Sequence, residues 1–305
     1  MSNPLPAAAH PATLNAEAWL LIFALSLPWG GSFLFFRILA GELPSFTIVL
    51  VRLGLAVMLL YLMLRVRGER LDVPWGTFMV MGILNNVIPF SLIAWASIRI
   101  TGGEAAILNA TTPMFGALVL RVCAGERLTP ARIGGVLLGV AGVAVLVGPA
   151  ARGLGANLWA ELACLGAALS YGFTTLWGRR LRHIPPFQAA TAQCLCSLLV
   201  LIPIVAVIDQ PWTLPMPSWR ALGALAGIGW LCTGLAYVVF FRIVAVAGVA
   251  NVMLVTFLAP VSAMILGGLV LGEGVGWNAI AGMVLIFAGL AAIDGRLLSR
   301  GKAPG

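Results

Sequence analysis

Runs of about twenty apolar residues recur along the whole chain, separated by short stretches of glycine, proline and charge. A helix of that length covers about 30 Å, the thickness of a bilayer's hydrocarbon core. The pattern predicts ten such helices, at 17–37, 45–65, 75–97, 103–122, 131–148, 157–178, 187–208, 219–241, 248–271 and 277–295. Thr129-Pro130 marks the fifth start, a capping hydroxyl followed by a proline whose missing N–H costs nothing at the first helical position.

The chain also repeats itself. Pro113 recurs 147 residues on as Pro260, and Gly125-Glu126 recurs at the same step as Gly272-Glu273. The step also pairs Gly135 with Gly282 and Gly142 with Gly289. The match slips earlier on, because Trp75 and Trp219 stand 144 apart and a three-residue shift is needed before Phe90/Tyr237. Five helices per half is an odd number, so the second half must enter the membrane from the opposite side. The expectation is an all-α integral membrane protein of ten transmembrane helices in two inverted five-helix repeats. Its parts would be a tail at 1–16, a first repeat at 17–148, a linker at 149–156, a second repeat at 157–297 and a tail at 298–305. Residues 1–15 and the tail from Ser299 are expected to be disordered.

Composition agrees, with 61% apolar and 9% charged residues against about 25% charged in soluble proteins. The net charge of +8 records orientation rather than a nucleic-acid partner. Thirteen basic residues, from Arg65 to Lys302, fall in even-numbered loops and the C-terminal tail; Arg37, Arg99, Arg152 and Arg220 alone mark the odd loops. Positive charge stays inside, which puts both termini in the cytoplasm, Glu126 on the inner side and Glu273 on the outer. Either glutamate can serve the positive end of the helix that follows it.

Candidate chemistry is sparse. His10 and His183 lie outside the spans, no phosphate-binding glycine loop exists, and no nucleophile–base set is recognisable. No enzyme activity, cofactor or metal is expected, and Cys194 and Cys196 read as small buried side chains. None of the ten acids reaches mid-membrane, so proton coupling lacks support, with Glu104 and Glu161 nearest to a usable depth. Arg52 lies a third of the way into the second helix, either bound to a carboxylate of substrate or protein, or snorkelling to the surface.

Prolines within spans remove a hydrogen bond and free the carbonyl four residues earlier. Pro89 would free Asn85, Pro113 would free Asn109, and Pro260 would free Thr256, with Thr112 one turn from Asn109. These polar residues either satisfy their own kinks or line a central cavity. Pro28, Gly30 and Gly31 would break the first helix, and Gly172 marks the corresponding place beside Tyr171 in the sixth. Trp230 and Tyr237 read as cavity walls or as interfacial anchors. In helix five, Ala131, Gly135 and Gly139 form a small-residue stripe that would pack against Gly282 and Gly289 of helix ten.

The proline helices ending in Gly-Glu, each followed by a glycine-rich helix (about 103–147 and 249–293), resemble the EamA family of the drug/metabolite transporter superfamily. Within it the chain looks most like bacterial inner-membrane exporters of aromatic and other neutral amino acids. The resemblance implies an inner-membrane carrier with both termini inside and alternating access around a central cavity, built in that family by helices one, three, four, six, eight and nine; the chain is expected to work as a monomer. The small four-helix relatives keep a glutamate in their first helix, and residues 18–36 here hold no acid. The expected partners are amino acids and the lipid bilayer. The expected cavity residues are Asn85, Asn109, Thr112, Tyr171, Trp230, Tyr237 and Thr256. The kinks and gates would be Pro28, Gly30, Gly31, Pro89, Pro113, Gly172 and Pro260. Drug or metabolite efflux, with or without proton coupling, is the alternative substrate class, and a membrane-embedded enzyme the alternative of another kind.

Overall fold

Ten helical spans and no strand make up the described residues, 15–153 and 156–294, of the computed structural model. They are α1 (Ala16–Leu39), α2 (Ser45–Val66), α3 (Trp75–Ala96), α4 (Gly102–Ala124), α5 (Pro130–Gly153), α6 (Ala156–Trp177), α7 (Pro186–Ile208), α8 (Trp219–Ala247), α9 (Val249–Leu271) and α10 (Trp277–Asp294). Eight are long and apolar enough to cross a bilayer, and α10 is apolar but shorter. Polar residues dilute α6, among them Glu161, Ser170, Thr174 and Thr175. Large apolar side chains such as Leu20, Phe23, Leu62, Val122, Leu137 and Leu269 point outward, which only a lipid solvent tolerates on this scale. Apart from residues 15 and 16, the predicted tails lie outside the described residues, as do 154–155 of the linker and the last three positions of the second repeat.

The predicted spans and the observed helices agree to within a residue or two except at two ends: α5 runs five residues past its expected end at 148, so most of the predicted linker is helical, and α8 is also longer. Helix α8 runs six residues past its expected end at 241 because Arg242 stays helical and reaches Glu17, donating from Nη2 at 2.7 Å and Nε at 3.1 Å. A charge there does not end the helix when a partner lies beside it.

The inverted symmetry shows in where backbones touch. On α5 and α10, a Cβ at Gly135 would lie 2.5 Å from the Gly289 carbonyl, and one at Gly142 would lie 2.7 Å from that of Gly282. The 147-residue step exchanges these two pairs, as a two-fold axis between the halves requires. Gly139 meets Met114 of α4 and also keeps its backbone against α10, its N lying 3.0 Å from where a Cβ of Gly289 would be; Gly142 extends the predicted stripe to Gly282.

The same axis relates two other crossings. Gly30 of α1 meets Ser262 and Ala263 of α9 with no room for a side chain, and Gly172 of α6 meets Phe115 and Gly116 of α4, where a Cβ would be tight at 3.0 Å. Neither helix is broken: α1 runs through Pro28, Gly30 and Gly31, and α6 through Gly172. The predicted interruption of α1 is therefore wrong, and Gly30 and Gly172 are needed for close approach instead. The slip in the repeat also has a place. Both α3 and α8 leave α-helical register for a π segment, over Ile83–Val87 and the longer Gly227–Leu235, between the tryptophans and Phe90/Tyr237.

Each half ends its proline helix with the same turn. Gly125 and Gly272 are left-handed, at φ of 67° and 68°. The next residue, Glu126 or Glu273, donates its N–H to the carbonyl six residues back at 3.2 Å. This is the glycine-terminated helix cap, and it aims both glutamates out of the helix in the same way.

Candidate functional site

Arg52 is the residue around which the interior is organised. It lies seven residues into α2, about 10 Å along the helix, yet is only 5% exposed. Its Nε donates to Thr233 Oγ1 at 2.8 Å, and that hydroxyl donates onward to the Ile228 carbonyl inside the π segment of α8. Its guanidinium carbon sits 3.8 Å from the centre of the Phe90 ring and 5.1 Å from that of Phe36. Among the described residues no carboxylate pairs with it. Neither the snorkelling nor the protein salt-bridge reading of Arg52 survives this geometry, because its head group stays inside with no protein anion to meet it. Cation–π contacts return about 2 kcal/mol when desolvated, while burying a charge costs several kcal/mol. The site is electrostatically short of one anion.

Polar side chains from three further helices surround this cation. Tyr171 of α6 and Tyr237 of α8 lie within its electrostatic reach. Gln193 of α7 donates to the Tyr237 hydroxyl at 2.7 Å and accepts a long bond from Asn85 of α3 at 3.4 Å. Behind them Asn86 donates to Ser197 Oγ at 2.9 Å, tying α3 to α7. Aromatic rings continue the wall, with Tyr237 stacked on Phe241 at 6.0 Å.

Of the sequence-predicted cavity residues, Asn85, Tyr171 and Tyr237 therefore come together, while the others stand apart. Asn109 and Thr112 flank a break in α4 at Ala110–Thr111, where Asn109 Oδ1 is buried without a partner. Trp230 is 43% exposed on α8, and Thr256 is half-buried on α9. These residues line neither the cavity bordered by Arg37, Glu42, Arg220 and Glu273 nor the small one bordered by Thr101, Glu104 and Glu273. Gln193 and Thr233 went unnoticed in the sequence. A glutamine inside a span is a signal that was available; a lone threonine carries none.

The proline kinks are settled locally. Thr112 Oγ1 donates to the Asn109 carbonyl at 2.8 Å, capping the group that Pro113 frees. At Pro89 the expected freed carbonyl was that of Asn85, but the π turn shifts the register by one residue. Ile88 N–H already reaches back five residues to Ile83, so Pro89 leaves the Leu84 carbonyl free, and Ser170 of α6 fills it at 2.7 Å. Both kinks are thus held shut by hydroxyls, one from the same helix and one from the other half.

Ties between the halves close both faces. On the odd-loop face, Arg37 lies 3.4 Å from Glu273 and donates to the Ser97 and Ile98 carbonyls, and Glu273 accepts the Gly102 N–H at the start of α4. Glu273 thus serves α4 across the molecule rather than α10 after it. Asp209 accepts both the N–H and the hydroxyl of Thr47, and Glu42 does the same for Ser218. A cavity of about 290 Å³ opens here, between Arg37, Glu42, Arg220 and Glu273. On the even-loop face Arg179 pairs with Glu126, Arg242 with Glu17, and Trp177 donates to the Thr77 carbonyl at 3.0 Å.

Comparison with known proteins agrees with this architecture. A solved structure superposes with a TM-score of 0.67 at 22% identity, covering 94% of this chain and 98% of that one, which establishes the fold. The uncharacterized inner membrane transporter YedA of Escherichia coli is 27% identical over 92% of both chains. A probable terminal-alkyne amino-acid exporter of Streptantibioticus cattleyicolor is 28% identical over 68% of this chain and 69% of its own. The description EamA-like transporter family matches twice, at residues 17–148 and 158–293. With the two matches together spanning nearly the whole chain, this multi-pass membrane protein belongs to the EamA-like transporter family.

Proposed function

We propose that this transporter exports amino acids, aromatic and other neutral ones, across a bacterial inner membrane by alternating access, as a monomer with both termini in the cytoplasm. The observation that carries the reading is Arg52, a buried cation with no protein anion, ringed by aromatic and uncharged polar side chains. An amino acid supplies the missing carboxylate, and the tyrosine and phenylalanine walls suit its apolar end. Asn85, Gln193, Tyr171 and Tyr237 orient the ammonium end through neutral oxygens. The likeness to an amino-acid exporter supports the same substrate class.

Because both faces are tied across the halves, substrate reaches Arg52 only when one set of ties opens while the other holds. The two repeats, taken as 17–148 and 157–297, then rock about the glycine crossings at Gly30 and Gly172. Pro28, Gly31, Pro89, Pro113 and Pro260 are where the helices bend during this movement. Asn109, Thr112, Thr256 and Trp230 line the path rather than the central pocket.

Uptake of radiolabelled phenylalanine, threonine and methionine into proteoliposomes tests this. Saturable uptake is expected for the protein as it stands and a loss of at least tenfold in Arg52→Gln, corresponding to a charge-assisted bond of about 1.5–3 kcal/mol. Amino-acid methyl esters, which lack the carboxylate charge, should not compete. Competition by the esters equal to that of the free acids would remove the basis for the reading.

A further inference from the structure

The Arg52 site offers a substrate one full positive charge and no negative one. Only Nε of the guanidinium is engaged, by Thr233, and its two terminal nitrogens make no hydrogen bond among the described residues. They are free to take both oxygens of a carboxylate. Nothing comparable awaits an ammonium. The chain has ten acids, and all but Glu161 lie at helix ends or in the connections between helices. Glu161 is buried within α6, but nine residues before Ser170, the point at which α6 meets α3 beside Asn85. That leaves it about 14 Å away along the helix axis, whereas an α-ammonium sits on the carbon next to the carboxylate.

What the site holds instead is an uncommitted hydroxyl proton. Tyr237 stands four residues beyond Thr233, on the same face of α8. Its oxygen accepts from Gln193 at 2.7 Å, which leaves its own proton to give. The Gln193 carbonyl oxygen is turned to Asn85, and the Thr233 hydroxyl is used twice, by Arg52 and by the Ile228 carbonyl. Neutral oxygens can orient an ammonium, but they do not cancel its charge. Charge balance points the same way. Arg52 with a monoanion is a neutral pair, whereas Arg52 with a zwitterion keeps one net positive charge in the interior, which is strongly unfavourable. Beyond the hydroxyl, Phe241 lies between Tyr237 at 6.0 Å and Phe187 at 5.3 Å, a wall of rings suited to an aryl tail.

We propose that the Arg52 site also carries, and prefers, ammonium-free aromatic monocarboxylates: 2-hydroxy and 2-oxo acids of the shape of phenylalanine, with an uncharged oxygen in place of the ammonium. The terminal nitrogens of Arg52 hold the carboxylate, and Tyr237 donates to the oxygen on the α carbon. The inference rests on Arg52 being the carboxylate site of the proposed transport; it does not need an amino acid to be the better cargo.

Phenyllactate and phenylalanine differ only by a hydroxyl in place of an ammonium, which makes them the deciding pair. Saturable uptake of each, radiolabelled, is measured in proteoliposomes of the full-length protein against protein-free liposomes, with phenylpyruvate and phenethylamine as competitors. Phenyllactate should half-saturate uptake at a concentration about tenfold below phenylalanine, the size of one charge-assisted bond left unmade. Phenylpyruvate should compete as phenyllactate does, and phenethylamine, the ammonium without the carboxylate, should not compete. Arg52→Gln should lose uptake of both acids, while Arg52→Lys, which keeps the charge, should bind more weakly in the same order of preference. Half-saturation by phenylalanine at the same or a lower concentration than phenyllactate overturns the proposal and leaves the amino-acid reading standing. Arg52-dependent uptake of phenyllactate with none of phenylalanine upholds the proposal and defeats that reading. Phenyllactate uptake at the native level in Arg52→Gln, or no saturable uptake of either acid by the native chain, overturns both.

Discussion

Glu126 and Glu273 occupy equivalent places in the two halves, follow the same left-handed glycine and make the same backbone turn, yet they are not equally held. Glu126 is 37% exposed and has one partner, Arg179. Glu273 is 12% exposed; it pairs with Arg37, accepts the Gly102 N–H, and lies in space that Gly267 leaves open. Position 120, which corresponds to Gly267, is a leucine. Arg37 is itself braced by two carbonyls of the α3–α4 loop. The contrast teaches that a repeated motif sets the direction of a side chain, whereas its strength depends on what the other half places opposite. The odd-loop face is the better latched of the two.

The comparison can be broken most directly by deleting each carboxylate. Glu273→Ala should lower the unfolding free energy by about 2–3 kcal/mol, since it strands a guanidinium and a helix-terminal N–H, and should make a cysteine at Ile38 react faster with a water-soluble maleimide. Equal melting shifts for Glu273→Ala and Glu126→Ala would end the claim of asymmetry. Next in size come the glycines. Gly125→Ala and Gly272→Ala should each cost about 1–2 kcal/mol, and by similar amounts, because the backbone strain is the same at both; thermal melts in detergent decide this.

Glu126→Ala should cost less than about 1 kcal/mol, as exposed pairs do. That difference should shrink as salt is raised, whereas the Glu273 effect should persist. The smallest expected effect concerns Glu42, also on the odd-loop face. The Ser218 hydroxyl, and then its N–H, hold the Glu42 carboxyl below the usual carboxylate range. A depressed value in the folded state means the contribution is present above the unfolded value of about 4.3 and fades as pH falls through the folded one. Mild acidification should therefore lower the melting temperature slightly in the native chain and less in Ser218→Ala.

Much of the fold could be read from the chain, and the candidate site much less. The proline and Gly-Glu repeats announced two halves, and both glycine turns appear where the 147-residue step placed them. The glycines were read correctly as special but in part for the wrong reason. Gly30 and Gly172 looked like helix breakers and are crossing points, because a missing side chain permits both and only a neighbouring backbone distinguishes them. At Pro89 the freed carbonyl moved by one residue through a π turn that periodicity does not reveal. Arg52 was noticed but not understood, since its meaning lies in packing that sets aromatic rings and hydroxyls, and no carboxylate of the described residues, against its head group.

The sequence by itself determined that this chain lives in a membrane, that it is a duplicated bundle, and on which faces its charges gather. Those properties follow from hydrophobic length, internal repetition and loop composition, all carried by residues near one another along the chain. The tertiary structure decided which polar groups meet: Arg52 with Thr233 and Phe90, Gln193 with Tyr237, Ser170 with the Leu84 carbonyl. In hydrocarbon every such group needs a partner, and partners are supplied by packing between helices distant in sequence, so their pairing emerges only when the two halves close on each other.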